Sequence, residues 1–285
     1  MTSTTTVFTI ASLTLRESVR RRVVFALSTL TLLLLVMSTW GFTKLGAAAG
    51  GDMTSGEERL TASIVLNLVM FGYSLIAALG TAFLAGPTLA GETESGIALS
   101  MLARPIRRTE VLLGKWLGLV AFGATFVVVA GLAQLLVVRA TTDYWPPSPV
   151  AALALLAGQT IVLLTLALLL STAVSPMASG VVAVGLFGAT WIAGVVGGIG
   201  ASLENESVER VGTITRVLLP TDGLWRGAMR SFQDPSAMVE FGGTEAEAFP
   251  FLSIAPLSPG YLVWVFLWVV MIWALAAGSF GRRDL

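Results

Sequence analysis

Six apolar runs punctuate the 285 residues, at 23–42, 64–89, 111–138, 150–174, 180–201 and 260–280. About 20 consecutive apolar residues are enough for a helix to cross the hydrocarbon core of a bilayer. Each run lacks Asp, Glu and Arg in its middle, and Lys115 stands near an end, from where its ammonium is expected to snorkel to the interface. Between the fourth and fifth runs lies Ser175-Pro176-Met177-Ala178-Ser179, whose proline predicts a break and a tight hairpin. Residues 1–22 read differently. Phe8, Ala11, Leu15 and Val19 recur at helical spacing, with Arg16, Glu17, Arg20, Arg21 and Arg22 beside that stripe and at its end, which predicts an amphipathic helix lying in the interface.

The one long polar insertion is 202–259. Within it Val208, Val211, Ile214, Thr215 and Leu218 predict one amphipathic helix and Leu224–Phe232 a second, separated by turn signals at Pro220 and Asp222-Gly223. Gly242-Gly243 and Pro250 mark further turns. The predicted fold class is all-α: a polytopic membrane protein with six transmembrane helices, an N-terminal amphipathic interfacial helix and a long external loop between spans five and six. Residues 1–285 form one membrane domain in this reading. Ala47-Ala48-Ala49 has the small-residue look of a signal-peptidase site, but the first run is longer than the roughly 7–15 residues of a signal h-region, so it reads as a signal anchor.

Composition strengthens this picture. The chain is 55% hydrophobic and 12% charged, against about 25% charged residues in soluble domains. It contains no Cys, which excludes disulfides, thiolate nucleophiles and cysteine-ligated metals, and no His, which excludes an imidazole base, a haem ligand or a zinc triad. The net charge is zero, giving no nucleic-acid footprint. Its distribution is more informative. With six spans, the side holding both termini and the 90–115 loop carries ten Lys/Arg and five acids, while the other side carries seven and twelve. The positive side is expected to be cytoplasmic, with both termini on that side of the cell membrane.

No run carries an ionisable group near its centre, which argues against a proton relay, and a serine mechanism would lack its histidine. A catalytic or metal site is not expected. The pattern G-x-x-x-x-G-K-[ST] does not occur, Gly114-Lys115 being followed by Trp116, so any ATP and Mg would sit on a partner subunit. A partner needs a docking surface, and the loop Gly91–Glu110 offers one. Helical spacing puts Ile97, Met101 and Leu102 on one face, with carboxylates before them and arginines after, both favourable to the helix dipole. Pro105 closes that helix and Thr109 can cap the next span. The same features also suit a well-capped reversal whose arginines obey the positive-inside rule and do nothing more.

The loop carries a resemblance. Glu92 and Glu94-Ser95-Gly96, then Leu102, Pro105, Arg107-Arg108, Val111-Leu112 and Leu113-Gly114-Lys115, are similar to the loop between spans two and three of type-2 ABC export permeases. The ending Phe280-Gly281-Arg282-Arg283-Asp284-Leu285 resembles the C-terminus common in that family. Leu219-Pro220-Thr221-Asp222 resembles a segment of the branch that contains the nitrous-oxide-reductase maturation permease. The resemblance implies a dimer of six-span permeases in the lipid bilayer, each copy contacted by a cytoplasmic ABC ATPase subunit. It implies a coupling helix over Glu92–Leu102, with Glu92, Glu94, Ser95, Gly96, Leu99, Leu102, Arg104, Arg107 and Arg108 as the ATPase-coupling residues. It also places spans two and five along the translocation path.

On those spans Asn67, Tyr73 and Trp191 are the candidate pathway residues, and Gly194 and Gly198 form a G-x-x-x-G that suits helix packing or a dimer contact. Gln134 and Gln159, inside spans three and four, either bond each other across a helix pair or line a wet cavity. Tyr144 and Trp145 read as an interfacial belt, Trp264, Trp268 and Trp273 as packed bulk, and Glu204, Glu206 and Glu209 as a solvated face. The function expected is the permease subunit of an ATP-driven exporter with an unidentified substrate, apolar or amphipathic cargo being easier to accommodate than bare ions. The alternatives are a non-transporting membrane scaffold or immunity-type protein binding a cytoplasmic partner, and a passive pore.

Overall fold

The computed structural model describes residues 3–52, 55–94, 107–234, 249–253 and 256–282. Among them are the helices α1 (Ser3–Arg20), α2 (Arg22–Asp52), α3 (Ser55–Glu94), α4 (Arg108–Thr142), α5 (Pro149–Ser171), α6 (Pro176–Ser202), α7 (Glu206–Leu218), α8 (Thr221–Phe232) and α9 (Pro259–Arg282), and no strand. Six of these, α2 to α6 and α9, are long and apolar enough to cross a membrane. The all-α, six-span prediction therefore holds. The helices outrun the apolar runs at several ends, most of all α3. Its helix continues through Pro87 and carries Glu92 and Glu94 in its last turn.

Proline at the first helical position opens α5, α6 and α9, where its missing N–H would have no partner anyway. Pro176 thus starts α6 as well as ending the turn after α5. The inner helices are α3 and α5, whose apolar windows are mostly buried, whereas α2 and α9 bury little of theirs. A central cluster joins Leu66, Met70, Leu135, Val138, Leu153 and Leu156 from α3, α4 and α5 to Trp225, Met229 and Phe232 of α8. The exposed faces of α2 (Phe25, Leu33, Val36, Trp40) and α9 (Val263, Phe266, Val270) are what a lipid-facing helix requires, since lipid tails are as apolar as the side chains.

Close approaches at Gly118 and Gly180 set how the outer helices meet the bundle. At Gly118 an added Cβ would meet the carbonyl oxygen of Ala11 at 2.6 Å and Thr14, so α1 lies directly on the α4 backbone, burying Val7, Thr14 and Ser18. Phe8 and Val19 of the predicted apolar stripe point away from the bundle. At Gly180 an added Cβ would meet the Ala82 carbonyl oxygen at 2.7 Å, which pins the start of α6 against α3.

Candidate functional site

The end of the bundle that holds both termini is tied together by two cations. Lys115 is 3% exposed and its Nζ donates to the Thr88 carbonyl at 3.0 Å, so it does not snorkel. Burying an ammonium requires an acceptor, and this one joins α4 to the last turns of α3. Arg108, at the start of α4, donates through Nη1 to the carbonyls of Phe280 and Gly281, each at 3.3 Å. Phe280 packs with Leu112 and Leu168. The base of the 91–110 loop and the C-terminal Phe280-Gly281 segment therefore meet. Of the predicted coupling residues, Arg107 immediately precedes α4, while Ser95, Gly96, Leu99, Leu102 and Arg104 lie outside the described residues.

At the opposite end the predicted external loop is not a loop throughout. Helices α7 and α8 form a hairpin that folds back into the bundle. Asn205 caps α7, its side-chain oxygen accepting from the N–H groups of Ser207 and Val208. The helix then runs down α6, with Gly212 against Gly197. The turn at Leu219-Pro220 lies level with Gly194 and Thr190, about 12–18 Å in from the end of α6 at 1.5 Å per residue. From there α8 returns, and Tyr144 closes it by donating to the Phe232 carbonyl at 2.6 Å. Tyr144 is a buried anchor, not a belt residue; burial pushes its hydroxyl well above the ordinary phenol range, with Asp234 adding to the rise and Arg59 opposing it. Trp145 is exposed.

A helix that ends at membrane depth leaves carbonyls that water cannot reach. One face of α9 supplies the donors. The Tyr261 hydroxyl donates to Arg216 O at 3.1 Å, Trp264 Nε1 to Val217 O at 3.1 Å and Trp268 Nε1 to Leu218 O at 2.8 Å. Positions 261, 264 and 268 are the i, i+3 and i+7 of one helical stripe, so these aromatic residues cap α7 and are more than packed bulk.

The hairpin tip is charged. The Asp222 side chain is 2% exposed, and its Oδ2 accepts from Arg216 Nε at 3.0 Å and from Arg226 Nε at 3.2 Å. Arg226 also donates to the Gly194 carbonyl at 2.5 Å. A Cβ on Gly194 would collide with the Asp222 carboxylate, so the close approach at this glycine is to α8 of the same chain. Reading the spans alone missed this buried ionisable cluster because it arrives from the polar insertion. The adjacent acid in Leu219-Pro220-Thr221-Asp222 was the available signal.

Gln134 and Gln159 do not bond each other. Gln134 Oε1 accepts from Ser38 at 2.7 Å and from Tyr73 at 3.2 Å. Gln159 accepts from Ser74 at 3.1 Å and donates to Thr221 O at 3.3 Å, tying α3 and α5 to the hairpin tip. The candidate pathway residues separate accordingly. Tyr73 joins the Gln134 pair between α2, α3 and α4. Asn67 and Trp191 share an aromatic layer around Phe71, which stacks on Trp191 at 4.6 Å and neighbours Trp225 at 5.4 Å and Phe251 at 5.8 Å. Asn67 donates to Phe251 O at 3.0 Å. Of the external acids, Glu206 pairs with Arg210 at 2.9 Å, and Glu204 and Glu209 are exposed.

A family model described as ABC-2 family transporter protein matches residues 8–285. The chain belongs to the ABC-2 transporter family. Among curated relatives it is 34% identical over 135 residues, 44% of this chain and 46% of the relative, to the probable ABC transporter permease protein NosY of Pseudomonas aeruginosa. It is 32% identical over 137 residues, 45% of this chain and 47% of the relative, to the protein of the same name in Stutzerimonas stutzeri. The match spans about half the length of these relatives. The ABC-2 protein thus pairs a tied end at its termini with an inward-folded, ion-paired hairpin at the other end.

Proposed function

We propose that this chain is the transmembrane permease subunit of an ATP-driven exporter, working with a cytoplasmic ABC ATPase subunit and a second copy of itself. The observation that carries the reading is a family match over residues 8–285 in a sequence without a P-loop. The likeness to the two NosY permeases supports it. ATP and Mg belong to the partner in this reading. The ATPase docks on Glu92, Glu94, Ser95, Gly96, Leu99, Leu102, Arg104, Arg107 and Arg108, and the termini face the cytoplasm. Arg108 supports that assignment, because its bonds to Phe280 and Gly281 join the loop base to the last span. Motion of the loop would pass along α3 and on to α6, where Gly86 lies against the Pro176 carbonyl and Gly180 against that of Ala82. The path near Asn67 and Trp191 would then open or close, while the exposed α6 face of Ile192, Val196 and Ile199 remains available to the second copy; Gly198 is buried and faces the hairpin of its own chain.

The test is co-purification from the native host, comparing wild type with Glu94→Arg. An ABC ATPase should accompany the wild type and be lost from a mutant that keeps its melting temperature. A folded wild type that brings no ATPase would overturn the exporter reading and leave the membrane scaffold in its place.

A further inference from the structure

Between α6, α7, α8 and the start of α9 lies a partly enclosed cavity of about 270 Å³. Its lining from α7 is Glu209, Thr213 and Arg216, at i, i+4 and i+7, so all three lie on one face of the helix. Arg216 sits about 10 Å farther toward the hairpin tip than Glu209. From α8 comes Arg226, and from the segment before α9 come Leu252, Pro256 and Leu257. Glycines at 197, 198, 223 and 227 keep the wall free of side chains.

The charges are unevenly placed. At the inner end Arg216 and Arg226 both pair with Asp222, and that carboxylate is buried behind them and does not line the cavity. Arg216 donates to Asp222 through Nε, and the four N–H groups of its terminal nitrogens have no acceptor among the described residues. The compensating acid, Glu209, stands at the outer, exposed part of the same face. A cation lacking a full complement of acceptors in a partly enclosed, low-dielectric recess attracts an anion, and a guanidinium fork matches the oxygens of phosphate or carboxylate. The apolar lining from Leu252, Pro256 and Leu257 favours a ligand with a non-polar body.

We propose that this cavity binds an amphiphilic oxyanion, its phosphate or carboxylate headgroup on Arg216 and its apolar body along Leu252 and Leu257. The volume is just below the usual range for drug-sized ligands, so it takes a headgroup and a short chain. The site's existence is independent of whether an ATPase docks on the other end.

Isothermal titration of the purified chain in neutral detergent with hexyl phosphate, inorganic phosphate, hexanol and hexylammonium tests it. Hexyl phosphate should bind, inorganic phosphate more weakly, and hexanol and hexylammonium not measurably. Arg216→Gln should weaken hexyl phosphate about tenfold or more, the loss expected for a charge-assisted contact. If that variant fails to fold, two others decide. Glu209→Gln, which removes an exposed opposing charge, should tighten binding a few-fold, and Leu257→Trp should block hexyl phosphate while sparing inorganic phosphate. Repeating the titration in nanodiscs separates the sources: competition by phosphatidylglycerol but not phosphatidylcholine marks a lipid headgroup, and indifference to both marks a soluble anion. No binding of hexyl phosphate to wild type, or binding that ignores both charge variants, overturns the proposal.

Discussion

Gly194→Ala puts a methyl group where the Asp222 carboxylate lies. The carboxylate cannot step aside without loosening its bonds to Arg216 at 3.0 Å and Arg226 at 3.2 Å, and Arg226 is also fastened to the Gly194 carbonyl. Breaking a buried ion pair costs about 3–5 kcal/mol, largely for the charge left behind. Here the Arg216 and Arg226 side chains retain 30% and 18% of their surface. Solvent recovers part of the penalty, leaving about 2–3 kcal/mol. Helix propensity acts the other way, since Ala is about 1 kcal/mol better than Gly in a helix interior. The net expectation is a loss of about 1–2 kcal/mol, or roughly 2–8 °C in melting temperature.

Gly185 and Gly188 on the same helix are the controls, because a Cβ there meets open space, so their Ala variants should be neutral or slightly stabilised. The assay is thermal unfolding of the detergent-solubilised protein for all three variants, and for Gly194→Ala in an Asp222→Ala background. In that background the collision is gone and the alanine should cost nothing further. If Gly194→Ala melts with Gly188→Ala, or is equally harmful with and without Asp222, the packing of the hairpin tip on α6 is wrong.

Other expectations concern the groups that fasten the hairpin and the opposite end. Trp268→Phe removes the donor to Leu218 O and should cost about 1–3 kcal/mol, more than Trp264→Phe at its half-buried position; equal effects in the melting assay would argue against the capping role. Gln159→Leu strips partners from Ser74 and Thr221 together and should cost about 1–3 kcal/mol, whereas Leu in place of a residue facing a dry gap would stabilise. Lys115→Met keeps the stem but loses the bond to Thr88 O, so melting should fall by a few degrees; no change would mean that the bond contributes nothing. Tyr144 has a hydroxyl raised by burial, so its contribution is complete below the unfolded value of about 10 and is lost as pH climbs above it. Between about pH 10 and 12 the wild type should lose more stability than Tyr144→Phe, and parallel curves would contradict the burial.

The amphipathic pattern of 208–218 and 224–232 announced two helices correctly and their surroundings wrongly. Helices that carry Arg216 on one and Asp222 and Arg226 on the other read alike whether their polar faces meet water or other charges, because periodicity reports which residues share a face and not what that face touches. Lys115 misled for the same reason. Its position near a span end suits snorkelling, but a carbonyl from α3 happens to be within reach. The two glutamines were legible as polar groups needing partners, while the choice of Ser38 and Tyr73 for one and Ser74 and Thr221 for the other required the helices to be placed.

The sequence by itself determined the six spans, the N-terminal helix and the all-α class, because the cost of exposing backbone groups to lipid leaves a helix as the way for such runs to cross. It also marked the family through short motifs at the loop and the tail. Only the tertiary structure decided that 206–232 turns inward, that Asp222 lies between two arginines against Gly194, and that α9 caps α7 with three aromatic donors. These are contacts between segments far apart in the chain, set by how helices pack, and no local pattern of residues encodes them.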